Sequence, residues 1–248
     1  MIFVFDVDGT ICFNGKFIEP ILNKVIKSLN EKHEIIFASA RPIRDLLPVV
    51  SEFKNNTLIG GNGSIVSLDG NIQVIDYIPI PLFENIKRII SEYNLSFIID
   101  GMFDYAANVN SNHPIFKQLD PDHLASNVEV SKIQRPIKII LLNIENSAYE
   151  AIVAQFNDFK GELSINLHEL EGNIDITAKN INKYTTLKNI IGNQNYIAFG
   201  NDINDVQLLD YAQKSFYVTG HTDCQLSYDT LIENDAASVA SVLEALYL

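Results

Sequence analysis

Cysteine is scarce in this chain. Its 248 residues include only two cysteines, Cys12 and Cys224. A single pair cannot build the disulfide framework that holds many small secreted domains together. We therefore expect two reduced thiols and a cytoplasmic location.

Basic residues are also few. The chain has 18 Lys and Arg against 31 Asp and Glu, which gives a formal net charge of −13. Proteins that bind nucleic acid carry a basic stripe or patch, and the sequence has none, so we expect no nucleic-acid partner. We attribute the acidity to solubility. An anionic substrate would then need local cations or a metal ion in order to bind.

Long hydrophobic runs are missing as well. IKIILLNI at 137–144 is the longest apolar run after the first strand, and it is far too short to cross a bilayer. Asp6 interrupts the first apolar run and no cationic segment precedes it, so we expect no signal peptide and no membrane partner. An apolar content of 47% and a mean hydropathy of +0.07 are typical of a globular protein with one large or two small domains.

Short apolar runs recur along the chain, and each is followed by a polar residue. The polar residues that follow IFVF, EIIFA, YIAFG and SFYV are Asp6, Ser39, Asn201 and Thr219. Such short runs, rich in β-branched and aromatic residues, are typical of strands buried on both faces. Helical patterns lie between them, at 19–32, 41–53 and 239–246. The alternation predicts an α/β fold with a doubly wound, Rossmann-like parallel sheet.

The middle of the chain has a different pattern. It combines two amphipathic helices, a hairpin around Gly101 and three further strands. Pro79 and Pro81 mark its entry, and a short polar stretch at 178–182 marks its exit. The sequence therefore predicts a core of residues 1–79 and 179–248 and an inserted α+β domain of residues 80–178.

Polar residues gather where the predicted strands end, which is where doubly wound sheets bind ligands. Asp6 and Asp8 follow the first strand, and Ser39 follows the second, just before a predicted helix. Each has an ordinary alternative, because Asp and Gly form turns, Ser caps helices, and a lone lysine such as Lys183 is usually a surface charge. The oxygen-rich stretch GNDIND at 200–205 is either a turn or a site of the kind that Mg²⁺ prefers.

Together these segments resemble the motifs of the haloacid dehalogenase-like phosphohydrolases, and in particular the Cof-type sugar-phosphate phosphatases with a large inserted cap. DVDGT at 6–10 is similar to the first family motif, DxDGT, and SAR at 39–41 to the second, TGR. NINKYTTL at 180–187 is similar to the third, which centres on a lysine, and GNDIND to the fourth, GDxxND. GGNG at 60–63 is similar to a family segment near the active site.

The resemblance implies a Mg²⁺-dependent phosphatase that acts on a small phosphorylated metabolite such as a sugar phosphate. It implies that Asp6 is a nucleophile that forms an aspartyl-phosphate. It also implies that Asp8, kept protonated, donates a proton to the leaving oxygen and then activates water. Ser39, Ala40 and Lys183 would bind the phosphate. The Asp6 carboxylate, the Asp8 backbone carbonyl and Asn201 would hold the metal.

Asn201 departs from the family pattern, in which this position is an aspartate. An amide oxygen can still bind Mg²⁺, but it adds no charge, so either the metal affinity is lower or Asp202 takes over as ligand. Asn204 and Asp205 are further candidates, and Asp205 is expected to orient a metal-bound water.

The substrate and the class of reaction stay open within this resemblance. A phosphomutase, a phosphatase of glycosylated phosphoglycerate and a non-catalytic module that binds a phosphorylated ligand are the alternatives. The candidates for contacting the substrate are Asn62, Gly63, Asp104, Tyr105 and His113.

Two further features carry less weight. Cys12 is expected to be a packed thiol, because Asp6 already supplies the nucleophile. His221 and Cys224 form one H-x-x-C pair without a second pair, which is a weak signal for zinc.

Overall fold

The structure is a computed structural model that describes residues 1–157, 159, 161–219 and 227–247. It has two compact units. The first consists of Met1–Asn71 and Asn182–Leu248, and the second of Ile72–Ile181. The second unit therefore begins eight residues earlier than the predicted domain of residues 80–178 and ends three residues later.

The amino-terminal part alternates strands and helices before it ends in a hairpin. Its elements are β1 (Ile2–Asp6), α1 (Pro20–Asn30), β2 (Glu34–Ala38), α2 (Ile43–Leu46), β3 (Thr57–Gly60), β4 (Ile65–Leu68) and β5 (Asn71–Val74). Short 3₁₀ turns lie at Ser51–Phe53 and Gly61–Gly63. Apolar residues at helical spacing on α1 (Leu22, Val25, Ile26 and Leu29) are all buried, which explains why this stretch is a helix with one face against the core.

The second unit is an antiparallel sheet with two helices. Its elements are α3 (Ile80–Glu92), β6 (Ser96–Asp100), β7 (Tyr105–Asn108), β8 (Lys138–Leu142), α4 (Asn146–Asn157), β9 (Leu163–His168) and β10 (Asn173–Ala178). The strand order is β7-β6-β8-β10-β9. Ile86 of α3 and Phe156 of α4 belong to the same buried apolar cluster as Ile139 and Ile176 of the sheet. This unit thus has a hydrophobic core of its own.

The carboxy-terminal part returns to the first unit. Its elements are α5 (Lys183–Ile191), β11 (Tyr196–Gly200), α6 (Val206–Asp210), β12 (Lys214–Val218), β13 (Thr230–Ile232) and α7 (Ala236–Tyr247). A 3₁₀ turn at Ile203–Asp205 connects β11 to α6. In the ranges that the structure describes, no helix is long and apolar enough to cross a bilayer.

The large sheet has the order β13-β12-β11-β1-β2-β3-β4-β5. Every pair from β13 to β3 is parallel, and β4 runs antiparallel to β3. The predicted α/β fold with a doubly wound parallel sheet is confirmed. β1 lies between β11 and β2, in the interior of the sheet. The residues that follow β1, β2 and β11 therefore meet at one edge.

The helical pattern at 41–53 gives a much shorter helix than predicted. α2 ends at Leu46, and turns and a 3₁₀ segment follow it. Pro48 is the cause, because proline has no N–H with which to continue the helical ladder beyond the bond from Leu47 to the Ile43 carbonyl.

Candidate active site

Three charged side chains form a buried cluster at the carboxyl edge of the large sheet. Asp6 ends β1, Lys183 begins α5, and Asp205 lies in the turn after β11. Their exposures are 4%, 1% and 0%. The Lys183 Nζ lies 2.5 Å from Asp6 Oδ1 and 2.7 Å from Asp205 Oδ1, so one ammonium joins two carboxylates. It also lies 3.3 Å from the amide oxygen of Asn204.

The start of α5 is fixed by a capping box, which sets the position of Lys183. The Asn182 side chain accepts a hydrogen bond from the Thr185 backbone N–H at 2.9 Å, and the Thr185 hydroxyl accepts one from the Asn182 N–H at 3.1 Å. The Thr186 hydroxyl donates to the Gly63 carbonyl at 2.7 Å. These bonds hold the first turn of α5 against the loop at 60–63, so Lys183 points at Asp6 from a rigid base.

The cluster holds two carboxylates but only one cation. Burial is the main reason that the pKa of Asp6 is raised from 3.8 to about 7, and the negative charge of Asp205 adds to the shift. The Lys183 charge and the hydrogen bonds from Lys183 and Thr10 oppose it. The Thr10 hydroxyl donates to Asp6 Oδ2 at 2.7 Å. An uncompensated negative charge in a buried site is an arrangement that favours binding of a further cation.

Asp205 also shapes the loop that contains Asn201 and Asp202. Its Oδ2 accepts the backbone N–H of Asn201 at 3.1 Å and that of Asp202 at 3.2 Å. The Asp202 side chain caps its own turn, because Oδ1 accepts the Ile203 N–H at 2.7 Å. Asp202 is therefore engaged with the backbone, whereas Asp205 links the fourth motif to Lys183.

Asn201 packs against the loop that follows Asp6. Gly9 has a φ of +77°, and a Cβ placed there would lie 2.1 Å from the Nδ2 atom of Asn201. Only glycine permits both the left-handed backbone and this close approach. The amide of Asn201 therefore lies beside Gly9, in the loop that follows Asp6.

The residues at this site offer oxygen donors that suit a hard divalent cation, although few of these donors are carboxylates. Among the residues that the structure describes, no group of three or more His, Cys, Asp or Glu side chains could hold a metal. The donor set implied by the resemblance is of another kind, with one side-chain carboxylate (Asp6), one amide oxygen (Asn201) and one backbone carbonyl (Asp8). Oxygen donors of these types suit Mg²⁺, and the excess of buried negative charge favours binding of the cation.

Asp8 makes an ion pair that was not predicted from the sequence. The Arg41 guanidinium donates from Nε to Asp8 Oδ2 at 2.8 Å and from Nη2 to Asp8 Oδ1 at 2.6 Å. The expected proton on Asp8 stays a prediction, and the structure shows that both oxygens of this carboxyl group accept from one guanidinium. Arg41 is a site residue that sequence reasoning missed, although it lies in the quoted SAR segment beside Ser39 and Ala40.

The predicted phosphate-binding residues lie at the end of β2. Ser39 is fully buried, and its hydroxyl oxygen accepts the Arg41 N–H at 3.0 Å. This leaves the hydroxyl proton of Ser39 available as a donor. Ala40 is half-buried between them. The third predicted phosphate ligand, Lys183, lies in the buried cluster around Asp6.

Asn62 connects the second and fourth motifs, and Gly63 packs against the third. Asn62 has a left-handed φ of 55°, its N–H donates to the Ser39 carbonyl at 3.1 Å, and its Oδ1 accepts from Asn204 Nδ2 at 3.4 Å. Gly63 has a φ of +104°, and a Cβ there would lie 2.4 Å from the Asn182 carbonyl oxygen. Both residues thus have structural contacts beside the site, and their predicted contact with substrate stays a prediction.

The other substrate candidates belong to the second unit. Asp104 is exposed in the turn between β6 and β7, and its Oδ1 accepts the Ser126 N–H at 3.0 Å. Tyr105 begins β7 and is half-buried. The His113 ring accepts the Ile115 N–H at 3.2 Å and so caps a 3₁₀ turn. Their contact with a substrate also stays a prediction.

The cysteine predictions have different outcomes. Cys12 is buried, as expected of a packed thiol, and burial is the main cause that raises its pKa. The pair His221 and Cys224 lies outside the described residues.

The charge imbalance predicts how stability depends on pH in metal-free buffer. The folded protein keeps a proton on Asp6 that the unfolded chain releases between about pH 4 and pH 7, so this group lowers stability as the pH rises through that range. Asn cannot titrate, and we expect Asp6→Asn to be more stable than the wild type by about 1–3 kcal/mol at alkaline pH and to gain little near pH 4. Urea unfolding of both proteins in EDTA at the two pH values measures this.

The matched control is Asp69→Asn, which replaces an exposed carboxylate in the β4–β5 turn. Its free energy of unfolding should differ from that of the wild type by the same small amount at both pH values. A gain for Asp6→Asn that does not change with pH would contradict a raised Asp6 pKa.

Comparisons with known proteins were made on the sequence and on the fold. The model of a family described as haloacid dehalogenase-like hydrolase matches residues 3–243. A search of curated proteins found no match.

Several solved structures share the fold over nearly their whole length. A protein from Thermotoga maritima is 22% identical, with 100% of this chain and 97% of that one covered and a TM-score of 0.81. A haloacid dehalogenase-like hydrolase from Bacteroides thetaiotaomicron is 16% identical, with 99% of each chain covered and a TM-score of 0.82. A sugar phosphatase of haloacid dehalogenase subclass IIB is 17% identical, with 98% of each chain covered and a TM-score of 0.76.

The predicted family is confirmed by the extent of the family match, which includes all four motifs and the charged cluster that they form. The chain belongs to the haloacid dehalogenase-like hydrolases.

Proposed function

We propose that the protein is a Mg²⁺-dependent phosphatase of a small phosphorylated metabolite, with sugar phosphates as the first class to test. The observation that carries the proposal is the buried Asp6 carboxylate, fixed by Lys183 on one oxygen and by Thr10 on the other. A carboxylate held in one orientation beside a buried cation is suited to attack an anionic phosphorus centre. Two of the proteins with a similar fold are themselves described as phosphatases.

In the proposed first step an oxygen of Asp6 attacks phosphorus and the ester oxygen leaves. The Lys183 ammonium reduces the repulsion between the Asp6 carboxylate and the phosphate oxygens. The Ser39 hydroxyl and the Ala40 backbone N–H bind those oxygens at the end of β2. Asp8 is protonated at this stage and gives its proton to the leaving oxygen.

Mg²⁺, when bound, supplies charge neutralisation for the phosphate and is held by Asp6, the Asp8 backbone carbonyl and Asn201. Asp205 fixes the Asn201 backbone through its Oδ2 and so orients this ligand. Asn201 rather than Asp202 is the proposed ligand, because the Asp202 carboxylate already caps the turn at Ile203.

We further propose that the second unit selects the leaving group and that the protein works in the cytoplasm. The residues with a proposed chemical role all belong to the first unit, while the second has a complete core of its own. An independent folded insertion that takes no part in the chemistry is suited to recognising the rest of the substrate.

A panel of sugar and nucleotide phosphates with Mg²⁺, read as released inorganic phosphate, tests the proposed activity. Phosphate release separates hydrolysis from phosphoryl transfer by a mutase, and a protein that only binds would release none. We expect Asp6→Asn to lose activity by several orders of magnitude while it stays folded, because an amide of the same shape does not attack phosphorus. Asp69→Asn serves as the control with normal turnover.

Wild-type turnover by folded Asp6→Asn, freed of contaminating phosphatases, would rule out Asp6 as the nucleophile. Failure of the wild type on the whole panel would instead argue against the proposed activity.

The metal ligand is tested by two neighbouring substitutions. Asn201→Asp should lower the Kd for Mg²⁺ by about tenfold or more, because a hard cation binds an anionic oxygen more tightly than a neutral one. Asp202→Asn should change the Kd little. Isothermal titration of each variant with Mg²⁺ measures the Kd. A Kd that rises in Asp202→Asn and is unchanged in Asn201→Asp would make Asp202 the ligand.

The role of the second unit is tested with Asp104→Ala and His113→Ala. We expect each to change the ranking among sugar phosphates by about tenfold, equivalent to about 1.4 kcal/mol, while kcat/KM for a small aryl phosphate changes much less. An equal fall on every substrate would place these residues in folding and not in recognition.

A further inference from the structure

The pairing of Arg41 with Asp8 is the one strong interaction at the site that the proposed phosphate chemistry leaves unexplained. Both oxygens of Asp8 accept from the same guanidinium, at 2.8 and 2.6 Å. The Asp8 side chain is 42% exposed, whereas that of Arg41 is 8% exposed. A carboxylate in so open a position would rotate freely about its side-chain bonds if nothing held it.

Arg41 itself is held from several directions. Its backbone N–H donates to the Ser39 hydroxyl, and its carbonyl accepts from the Gly61 N–H at 2.7 Å. Its Nη2 atom also donates to the Gly15 carbonyl at 2.9 Å. The guanidinium is therefore a fixed two-point anchor that ties the 8–15 loop to the end of β2, and it sets the plane of the Asp8 carboxylate.

We infer that Arg41 is a positioning residue for Asp8 in the second half of the reaction, the hydrolysis of the aspartyl-phosphate. This inference rests on the proposed function. In that step the oxygen of a water molecule attacks phosphorus, the bond from phosphorus to the Asp6 oxygen breaks, and its electron pair returns to the Asp6 carboxylate. One proton of the water passes to Asp8, and the other stays on the released phosphate.

The geometry is compatible with this role. A carboxylate oxygen has two acceptor positions, so Asp8 can keep both bonds to Arg41 and still accept a proton from water. Arg41 thus holds Asp8 in one orientation during the water-activating step.

The test uses p-nitrophenyl phosphate in rapid mixing, with Arg41→Met and Arg41→Lys in the full chain. This leaving group departs without a proton, so the first step does not depend on Asp8. We expect Arg41→Met to release p-nitrophenolate in a burst of about one equivalent and then to turn over about tenfold to a hundredfold more slowly than the wild type. Acid-quenched Arg41→Met should carry one phosphoryl group on Asp6, found by mass spectrometry.

Arg41→Lys keeps the charge but offers one contact in place of two, so it should fall between the wild type and Arg41→Met. It also keeps the inference testable if Arg41→Met does not fold. Lys16→Met is the control. It removes an exposed cation directly after the 8–15 loop, and its burst and turnover should equal those of the wild type.

Normal steady-state turnover without accumulated phosphoenzyme in a folded variant would overturn the inference. Slower release of p-nitrophenolate with no burst and no accumulated phosphoenzyme would overturn it too, because Arg41 would then serve the first step. Absence of any p-nitrophenolate release by the wild type is a different result, since it would contradict the proposed function itself.

Discussion

The structure of this site depends on one buried ammonium group placed between two carboxylates. Lys183 neutralises charge that would otherwise drive Asp6 and Asp205 apart in a place that water does not reach. Because one ammonium contacts both carboxylates, the position of each of the three residues constrains the other two. The ends of β1, the start of α5 and the turn after β11 are held together by this contact.

The neighbouring loops follow from that constraint. Asp205 can reach Lys183 and still bind the backbone of Asn201 and Asp202, which is why its side chain is fully buried. The left-handed residues Gly9 and Gly63 let two loops come close to Asn201 and Asn182. The left-handed backbone of Asn62 is held by its hydrogen bonds to Ser39 and Asn204.

The sequence was informative where chemistry and strand ends coincide. The placement of Asp6, Ser39 and Asn201 at one edge follows from the rule for parallel sheets. The family resemblance supplied their roles, and it alone pointed to Lys183. The Arg41–Asp8 pair could not be predicted in this way, because it depends on the path of the 8–15 loop. No periodic pattern in the sequence predicts the path of such a loop. The short α2 was foreseeable from Pro48 alone, since proline inside a helical pattern removes a backbone bond. The left-handed Asn62 lies between two glycines, which was a usable signal for an unusual turn.

The distance along the chain between the members of the cluster has a consequence for how the protein is made. Asp6 and Lys183 are separated by 177 positions, and β1 finds its partner β11 only after that partner has been synthesised. The second unit is one continuous segment, so its core is complete in the chain before Asp205 exists. During synthesis the insertion is therefore able to fold while β1 still lacks one neighbour and Asp6 has no counter-charge. A chain halted before residue 205 therefore contains the whole insertion but lacks one of the two carboxylates of the charged cluster.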